Sequence, residues 1–427
     1  MKSVFAIFLS AVVVTVILFN ETEWKTDMLA WDKSDYYIYL PAAFIYHDIG
    51  HLDFQPAISQ KYNINKDIKF YAIYDEAATG RRMNKYPVGV SVMELPFFLI
   101  AHAYCCLTNA YPADGYSRPY MEAIAFATAI WVIIGLIFLR SFLKRFYSDD
   151  IVAIALLLIL FGTNLYSYTA FDYGMSHSFS FTLFAMLLYF TEKWYRTEKG
   201  SDLVGIGIVM GLIIITRPTN ALMGLVPLCW GNWAAIVRRK PLPAFIAMLC
   251  FIGVLFIQLG YWKYTAGKWI HFSYENEGFD FSSPNIWNGL FSYRKGWFVY
   301  TPLALIALIS LVFLWRQYKR LTIITGAYFL VMIYVVFSWT QWFYGGSFGC
   351  RVLIETYPLL ALPLCALLYE IGRKRKIWLT TTITLVFGFT IWLNVWQNYQ
   401  FTKSFLPTDG TTKELYWHIF GKMPGSA

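Results

Sequence analysis

Long apolar runs alternate with short polar turns along almost the whole chain, from residue 4 to residue 395. Each run is roughly 15–23 residues long, close to the ~20 residues that a helix needs to cross a bilayer. We therefore expect an all-α membrane protein, a polytopic helical bundle of about eleven spans with juxtamembrane helices in a long first external loop. The predicted spans are residues 3–20, 119–139, 150–168, 175–191, 202–216, 219–237, 243–265, 299–315, 321–338, 351–370 and 377–396.

Basic residues cluster in alternate turns between these runs. Such clusters mark the cytoplasmic loops of membrane proteins. They cover residues 140–145, 193–199, 238–240, 316–320 and 373–376. The pattern predicts a cytoplasmic amino terminus, an external carboxyl terminus, and external loops at residues 20–118 and 266–298.

Residues 88–107 are also apolar enough to span, but a crossing there would move every downstream basic cluster outward. The segment contains Glu94, Pro96 and His102, and such residues are tolerated at membrane depth where protein or a wet cavity covers them. We expect a re-entrant or juxtamembrane helix at the external face. Residues 1–396 then form one transmembrane domain, and residues 397–427 form a short external tail.

Composition supports a membrane protein and removes several other classes. Charged residues make up 14% of the chain, against about 25% in soluble domains. The net charge of +9 lies in short loops, where it sets orientation, so nucleic acid is not expected as a partner. The six cysteines form no CxxC pair and have no histidine cluster beside them, which argues against a disulfide framework or a metal site. No small-x-small cleavage site follows the first apolar run, so we expect an uncleaved anchor.

Two carboxylates follow the first predicted span. Asp32 and Asp35 lie three residues apart and share a face if this stretch is helical. Either could act as a general base toward a hydroxyl or an amine. Tyr36 and Tyr37 could stack on a sugar, although an interfacial aromatic belt with solvated acids explains the same residues.

Two basic positions suit a phosphate. Lys85 stands at the start of the 88–107 helix, where an ammonium and free backbone N–H groups attract anions. Arg217 separates two apolar runs at the external face, and its guanidinium can bind phosphate through two hydrogen bonds. Anchoring at the lipid headgroups is the alternative for both.

His177 and the turn before Arg351 complete the external candidates. His177 falls just inside a predicted span, where ionisable residues are usually functional, although a structural histidine remains the alternative. The turn WTQWFYGGSFGCR contains glycines that allow a ligand to approach the backbone closely, and a flexible turn with interfacial aromatics is its alternative. Carboxylate, lysine, arginines and aromatics thus converge on one side of the membrane.

Several of these patches together resemble a known family. They read DYYIYLPAAF, NKYPVGVSVMELPFFLIAH, TRPTN, SYRKGWFVYTP and WxxWxxGGSFGxR, and they lie between residues 31 and 351. In order and spacing they are similar to the GT-C superfamily of integral-membrane glycosyltransferases. The nearest group is the bacterial branch close to the protein mannosyltransferase and aminoarabinose transferase families.

The resemblance implies transfer of a sugar, with inversion, from a polyprenyl-phosphate carrier at the external face of the bacterial inner (plasma) membrane. The family pattern implies Asp32 as the catalytic base, with Asp35 as runner-up, and Lys85, Arg217 and Arg294 at the donor phosphate. We assign the substrate cavity to Tyr36, Tyr37, His177, Glu275, Trp342 and Arg351. Many relatives carry a second acid where this chain has Lys33, so a divalent metal is unsupported and we predict no cofactor.

The expected partners are the polyprenyl-phosphate sugar, membrane lipids, and a glycan, lipid or protein acceptor that the sequence does not identify. Two other functions compete: a transporter or flippase for lipid-linked sugars, and a non-catalytic envelope assembly protein. A transporter would need ionisable groups at mid-membrane, whereas most of those here lie at helix ends. An ordered cavity containing Asp32, Lys85 and Arg217 would favour the enzyme.

Overall fold

The computed structural model describes residues 1–20, 29–65, 70–274 and 277–423. Helices dominate these ranges. They are α1 (Lys2–Asn20), α2 (Asp32–Tyr37), α3 (Tyr39–Phe44), α4 (Gln55–Tyr62), α5 (Gly89–Thr108), α6 (Arg118–Leu143), α7 (Asp149–Phe161), α8 (Leu165–Ala170), α9 (Ser176–Thr197), α10 (Gly200–Thr216), α11 (Leu225–Trp230), α12 (Trp233–Arg239), α13 (Pro241–Ala266), α14 (Ile286–Phe291), α15 (Trp297–Tyr300), α16 (Pro302–Ile309), α17 (Leu311–Gln317), α18 (Lys319–Phe337), α19 (Tyr357–Lys374), α20 (Ile377–Thr402) and α21 (Lys413–Ile419).

Three shorter elements matter for the site. The 3₁₀ turn Pro218–Gly224 follows α10, and the 3₁₀ turn Arg351–Thr356 precedes α19. A β-hairpin in the first loop pairs β1 (Ile73–Glu76) with β2 (Arg81–Asn84) in antiparallel register. The hairpin ends immediately before Lys85 and so sets the position of that side chain.

Helices make up 71% of the described residues, and seven of the helices in these ranges are long and apolar enough to cross a membrane. They are Lys2–Asn20, Gly89–Thr108, Arg118–Leu143, Pro241–Ala266, Lys319–Phe337, Arg351–Lys374 and Ile377–Thr402. A bent pair, Pro218–Trp230 with Trp233–Arg239, raises the number to eight if it counts as one span. The chain is therefore an all-α integral membrane protein in class, and the count of eleven spans stays a prediction.

Several predicted spans are interrupted helices. The predicted span 150–168 breaks between α7 and α8 around Gly162. The side-chain amide of Asn394 in α20 donates to the carbonyls of Phe161 (3.0 Å) and Thr163 (2.7 Å), which satisfies backbone groups that the break exposes. The predicted span 299–315 is divided among α15, α16 and α17. A hydropathy pattern does not register such breaks, because the flanking residues remain apolar.

The five basic turns meet at one end of the bundle. Ion pairs and hydrogen bonds join them to one another: Arg145–Glu192 (3.6 Å), Lys193–Asp202 (3.0 Å), Arg239–Glu198 (2.9 Å), Tyr318 to the Phe146 carbonyl (3.3 Å), Gln317–Glu370 (3.4 Å) and Arg373–Glu370 (2.8 Å). The amino terminus joins them through Asp149, at 2.8 Å. The clusters that the sequence predicts to share one side of the membrane are thus neighbours in space.

Helix α5 lies beside the half of α6 that is remote from this basic end. The Trp131 indole donates to the Met93 carbonyl at 3.0 Å, and Cys105 lies 3.8 Å from Ser117 at the start of α6. The first residue of α5, Gly89, packs against Thr216 at the end of α10. A methyl group at Gly89 would collide with the Thr216 backbone, so this close crossing requires glycine.

Two buried helices at the centre of the bundle carry the site. α9 and α19 contribute long runs of fully buried side chains, with His177 near the start of α9 and Glu355 just before α19. By contrast, α13 buries only Ala247, Gln258, Thr265 and Ala266 along its 26 residues. Most of its surface faces outward.

The end of the chain differs from the predicted short tail. Helix α20 continues to Thr402, past the predicted boundary at residue 396. The following segment folds back over the end of the bundle that is opposite the basic turns. Leu406, Tyr416 and Ile419 form a small apolar core there with Tyr300 and Phe348. The part of this segment that the structure describes, up to residue 423, therefore packs against the rest of the chain.

Candidate functional site

Two adjoining cavities lie at the end of the bundle opposite the basic turns. Their volumes are about 520 and 540 Å³. Both are lined by Asp32, Tyr71, Gly345 and Arg351, so these residues stand at the boundary between the two. A ligand in either cavity would reach the Asp32 carboxylate.

Asp32 is held by two partners. Its Oδ2 lies 2.9 Å from the Arg351 guanidinium, and its Oδ1 accepts a 2.8 Å hydrogen bond from the Tyr86 hydroxyl. Burial alone would raise the pKa of Asp32, but Arg351 and Tyr86 outweigh it and lower the pKa below its usual value. The group is therefore a carboxylate at neutral pH, oriented by Arg351 and Tyr86.

Asp35 faces a different environment. It is buried outside the lining of both cavities and accepts hydrogen bonds from the Ala72 amide (2.8 Å) and the Ser34 hydroxyl (3.0 Å). Burial raises the pKa of Asp35 to about 7. Asp35 thus secures the helix to the segment before β1, and Asp32 is the carboxylate that a ligand can touch.

The two tyrosines after these acids also separate. Tyr36 lines the first cavity, donates to the Ser176 hydroxyl (3.1 Å) and lies with its ring 4.6 Å from that of Tyr86. Tyr37 points the other way and donates to the Gly115 carbonyl at 2.5 Å. The structure therefore places Tyr36 at the cavity and Tyr37 in the packing between loops, outside the lining of both cavities.

Lys85 lines the first cavity directly after β2. Its ammonium forms an ion pair with Glu277 and lies 5.0 Å from the centre of the Tyr274 ring. The Ser273 hydroxyl donates to the Lys85 carbonyl at 2.7 Å. These contacts hold the 266–298 loop against Lys85. Residues 275–276 lie outside the described ranges, so the predicted cavity residue Glu275 has no position in the structure.

Arg217 and His177 meet at a carboxylate that the sequence analysis missed. Glu355, which is fully buried, lies 3.4 Å from Arg217 Nε and 3.1 Å from His177 Nδ1. Both basic residues line the first cavity. A sequence signal was present, since Glu355 is an ionisable residue near the start of a predicted span, and such residues are usually functional.

Each of the three cations at the first cavity has a carboxylate partner: Arg351 with Asp32, Lys85 with Glu277, and Arg217 with Glu355. An anionic ligand that binds one of these cations must therefore share the cation with its carboxylate partner or displace that partner. Glu277 is the most accessible, with 31% of its side chain exposed against 11% for Asp32 and 0% for Glu355. Lys85 is consequently the cation that an entering anion releases most easily.

The mouth of the first cavity is apolar. Ile270 and Phe272 line the cavity and are 79% and 58% exposed. Trp262 from the outward-facing helix α13 forms the adjoining wall. An exposed apolar rim beside a membrane helix is suited to a ligand with a hydrocarbon tail.

The second cavity has a more polar wall. Lys33 and Asp172 form an ion pair across it at 3.0 Å. Ser167, Thr402 and Thr408 add hydroxyl groups, and Gly346 leaves space beside Thr408. This wall can hydrogen-bond to a polar ligand.

Two predicted site residues lie elsewhere. Arg294 binds Asp409 through two hydrogen bonds of 2.8 and 2.7 Å and stacks on Phe343, so it lines neither cavity. Trp342 also lies outside both linings, and the centre of its ring is 5.9 Å from the Arg294 Cζ. The structure therefore does not bring these two residues together with Asp32, because Asp409 from the folded-back carboxyl-terminal segment binds Arg294. Their assignments to the phosphate and the cavity stay predictions.

Within the described ranges, no three His, Cys, Asp or Glu side chains are grouped closely enough to hold a metal ion. A scan against protein-family models finds no match for this chain, and a search of curated proteins finds none either.

Proposed function

We propose that this protein transfers a sugar from a polyprenyl-phosphate carrier to an acceptor at the external face of the membrane. The observation that carries the proposal is the pair of cavities that share the Asp32 carboxylate. One cavity has cations and an apolar mouth, and the other has a polar wall. A two-substrate reaction at a single carboxylate needs this arrangement, whereas a binding protein with one ligand does not.

The first cavity suits the donor. A polyprenyl phosphate combines one anionic group with a long hydrocarbon chain. Lys85 and Arg217 supply the charge, and the exposed Ile270 and Phe272 supply an apolar passage from the bilayer. The aromatic rings of Tyr36 and Tyr86 give flat surfaces on which a sugar can stack.

The chemistry then follows from the positions of the charged groups. An acceptor hydroxyl or amine in the second cavity gives its proton to Asp32, or is oriented by it, and attacks the anomeric carbon. The bond from that carbon to the phosphate oxygen breaks, and polyprenyl phosphate leaves with the bonding electrons. Lys85 and Arg217 stabilise the charge that develops on the phosphate, where preorganised cations contribute most. A single displacement inverts the anomeric configuration and requires one carboxylate.

A low pKa makes Asp32 a weak base in the resting site. Its partner Arg351 is responsible, because it lowers the pKa through charge at 2.9 Å. Efficient proton transfer favours a base whose pKa lies near the working pH. Asp32 therefore contributes mainly by orienting the nucleophile, and a donor phosphate that drew Arg351 away would raise the pKa of Asp32 and make it a better base.

The arrangement of the basic turns supports the topology required by this function. The turns gather at one end together with the amino terminus, and the cavities lie at the other end. If the basic end is cytoplasmic, the cavities open externally, as expected for an enzyme of the bacterial inner membrane. Both ends of α5 lie away from the basic end, which supports a re-entrant or juxtamembrane helix and a GT-C-like bundle of eleven spans.

Carrier binding tests the proposal without knowledge of the acceptor. Purified protein in nanodiscs is titrated with polyprenyl phosphate, and Lys85→Ala and Arg217→Ala are compared with the unsubstituted chain. Each loss of a charged hydrogen bond costs about 1.5–3 kcal/mol, or roughly a 10- to 100-fold increase in Kd. Lys61→Ala is the control, because Lys61 pairs with Asp114 in the same loop but lines neither cavity. Equal binding by the double alanine variant and the control would contradict the phosphate site.

A further inference from the structure

The 345–349 loop forms part of the wall of both cavities and touches Arg351. A side chain at Gly345 would begin 3.7 Å from the Arg351 guanidinium, so the loop passes close to that group. Gly345 and Gly349 both have positive φ, at 70° and 61°, which glycine adopts without strain. The position of this loop therefore limits where Arg351, and with it Asp32, can lie.

Lys295 joins this loop to the carboxyl-terminal segment. Its ammonium donates to the Ser347 carbonyl and, at 2.5 Å, to the Thr408 carbonyl. The Ser347 amide also donates to the Thr408 carbonyl at 3.0 Å. Only 3% of Lys295 is exposed. A buried ammonium is costly unless its donors are satisfied. The Ser347 and Thr408 carbonyls stabilise buried Lys295, and Lys295 in turn holds the two carbonyls together.

The neighbour of Lys295 fastens the same segment. Arg294 grips Asp409 through two hydrogen bonds, and Leu406 and Tyr416 pack against Tyr300. The charged groups around Lys295 are Asp409, Arg294 and Arg351, with the Cys350 thiol nearby. Two consecutive basic residues thus bind two consecutive residues of the carboxyl-terminal segment.

We propose that Lys295 is a positioning residue that clamps the carboxyl-terminal segment to the 345–349 loop and so holds Arg351 against Asp32. The clamp also closes the second cavity, because Gly346 and Thr408 meet in its wall. Its effect on catalysis rests on the proposed function, but the clamp itself does not.

Limited proteolysis tests the clamp directly. Trypsin can cut after Lys413, an exposed residue at the start of α21, once the segment detaches. Lys295→Met keeps the length of the side chain and removes the donors, and we expect cleavage at Lys413 to accelerate at least about tenfold. Lys61→Met is the matched control and should cleave like the unsubstituted chain. Unchanged protection in Lys295→Met would overturn the proposal, whether or not the protein transfers sugar.

A disulfide that replaces the Lys295 contacts can show whether Lys295→Met acts by releasing the carboxyl-terminal segment or by disturbing the fold in general. The Cβ of a side chain at Gly346 would lie 3.7 Å from the Thr408 Cβ, close to the ~3.8 Å typical of disulfides. Gly346→Cys with Thr408→Cys should therefore form a disulfide that joins the loop to the segment. In the Lys295→Met chain this disulfide should restore protection at Lys413, and reduction should abolish the protection again.

The transfer readout is compared between two disulfide-bearing chains, one with Lys295 and one with Lys295→Met. We expect similar rates while the disulfide is intact, and at least about a tenfold loss in Lys295→Met alone after reduction. Polyprenyl phosphate binding should remain unchanged throughout, because Lys85 and Arg217 are not held by the clamp. A rate that stays low with the disulfide intact would show that Lys295 does not act through the loop.

Discussion

The two buried aspartates of α2 offer a matched test of the active carboxylate. Asp32→Asn and Asp35→Asn are the same chemical change three residues apart on one short helix. Asp32 touches both cavities and pairs with Arg351, whereas Ala72 and Ser34, which bond to Asp35, line neither cavity. We expect Asp32→Asn to abolish transfer and Asp35→Asn to retain it.

The magnitudes follow from the partners. Loss of a group that orients the nucleophile can lower the rate by about 10²-fold, and loss of a general base typically lowers it by roughly 10²- to 10⁴-fold. Removing one partner of a buried ion pair costs about 3–5 kcal/mol. The amide introduced by Asp32→Asn retains an oxygen that can accept from the Tyr86 hydroxyl, so the stability loss should lie at or below this range. Asp35 has a pKa of about 7. At pH 7 it is therefore about half ionised, so Asp35→Asn removes only about half a unit charge on average, and the free energy of unfolding should change less than in Asp32→Asn.

The assay is label transfer by membranes that contain each variant. A panel of radiolabelled polyprenyl-phosphate sugars serves as donor, and lipid, glycan and protein fractions of the cell envelope serve as acceptors. Insertion is checked by size-exclusion chromatography of each purified variant. If Asp32→Asn transferred at the full rate while Asp35→Asn was inactive, the assignment of the carboxylate would be refuted. If both were active, the glycosyltransferase mechanism itself would fail.

Three further predictions follow from the ion pairs and the bundle ends. Glu355→Gln should lower the thermal stability. It should not weaken polyprenyl phosphate binding, because Arg217 keeps its charge and loses its carboxylate partner; weaker binding would contradict the role of Arg217. In intact cells, Ser282→Cys should react with an impermeant thiol reagent above the background of native cysteines and Ser201→Cys should not; labelling of both would contradict the topology. Burial lowers the pKa of Lys295 from 10.5 to about 7. Between pH 7 and pH 10.5, Lys295 therefore binds more protons when the carboxyl-terminal segment is detached than when it is docked. Docking of the segment should strengthen as the pH rises through this range. Cleavage at Lys413, normalised to a reference peptide, should therefore slow between pH 7 and pH 9, and this slope should vanish in Lys295→Met.

The sequence predicted the helical class, and several of its candidate residues line the first cavity. Lys85, Arg217 and Arg351 stand at or near the ends of apolar runs, where charged residues face a cavity or the headgroups, and Asp32 lies in the first long loop after the first run. The alternate basic turns also predicted which ends of the helices would gather. These features depend on local pattern and on spacing along the chain, so one sequence is enough to reveal them.

Long-range pairing could not be predicted in the same way. Arg294 binds Asp409 across 115 positions, and His177 binds Glu355 across 178. Nothing local to Arg294 distinguishes a phosphate ligand from a structural clamp. The interruptions near Gly162 and between α15 and α17 were also missed, because the residues that flank them remain apolar. Near Gly162 the broken backbone is satisfied by Asn394, which lies more than 200 positions away along the chain.

The most direct test of the central claim is transfer by the purified protein in liposomes, with no ion gradient. A labelled polyprenyl-phosphate sugar is supplied with an envelope extract as acceptor, and new glycosidic bonds and movement of the sugar-lipid across the bilayer are measured together. The proposed function predicts labelled glycosidic product in the unsubstituted protein and none in Asp32→Asn. Movement of the sugar-lipid across the bilayer with no glycosidic bond formed would contradict it and identify a transporter.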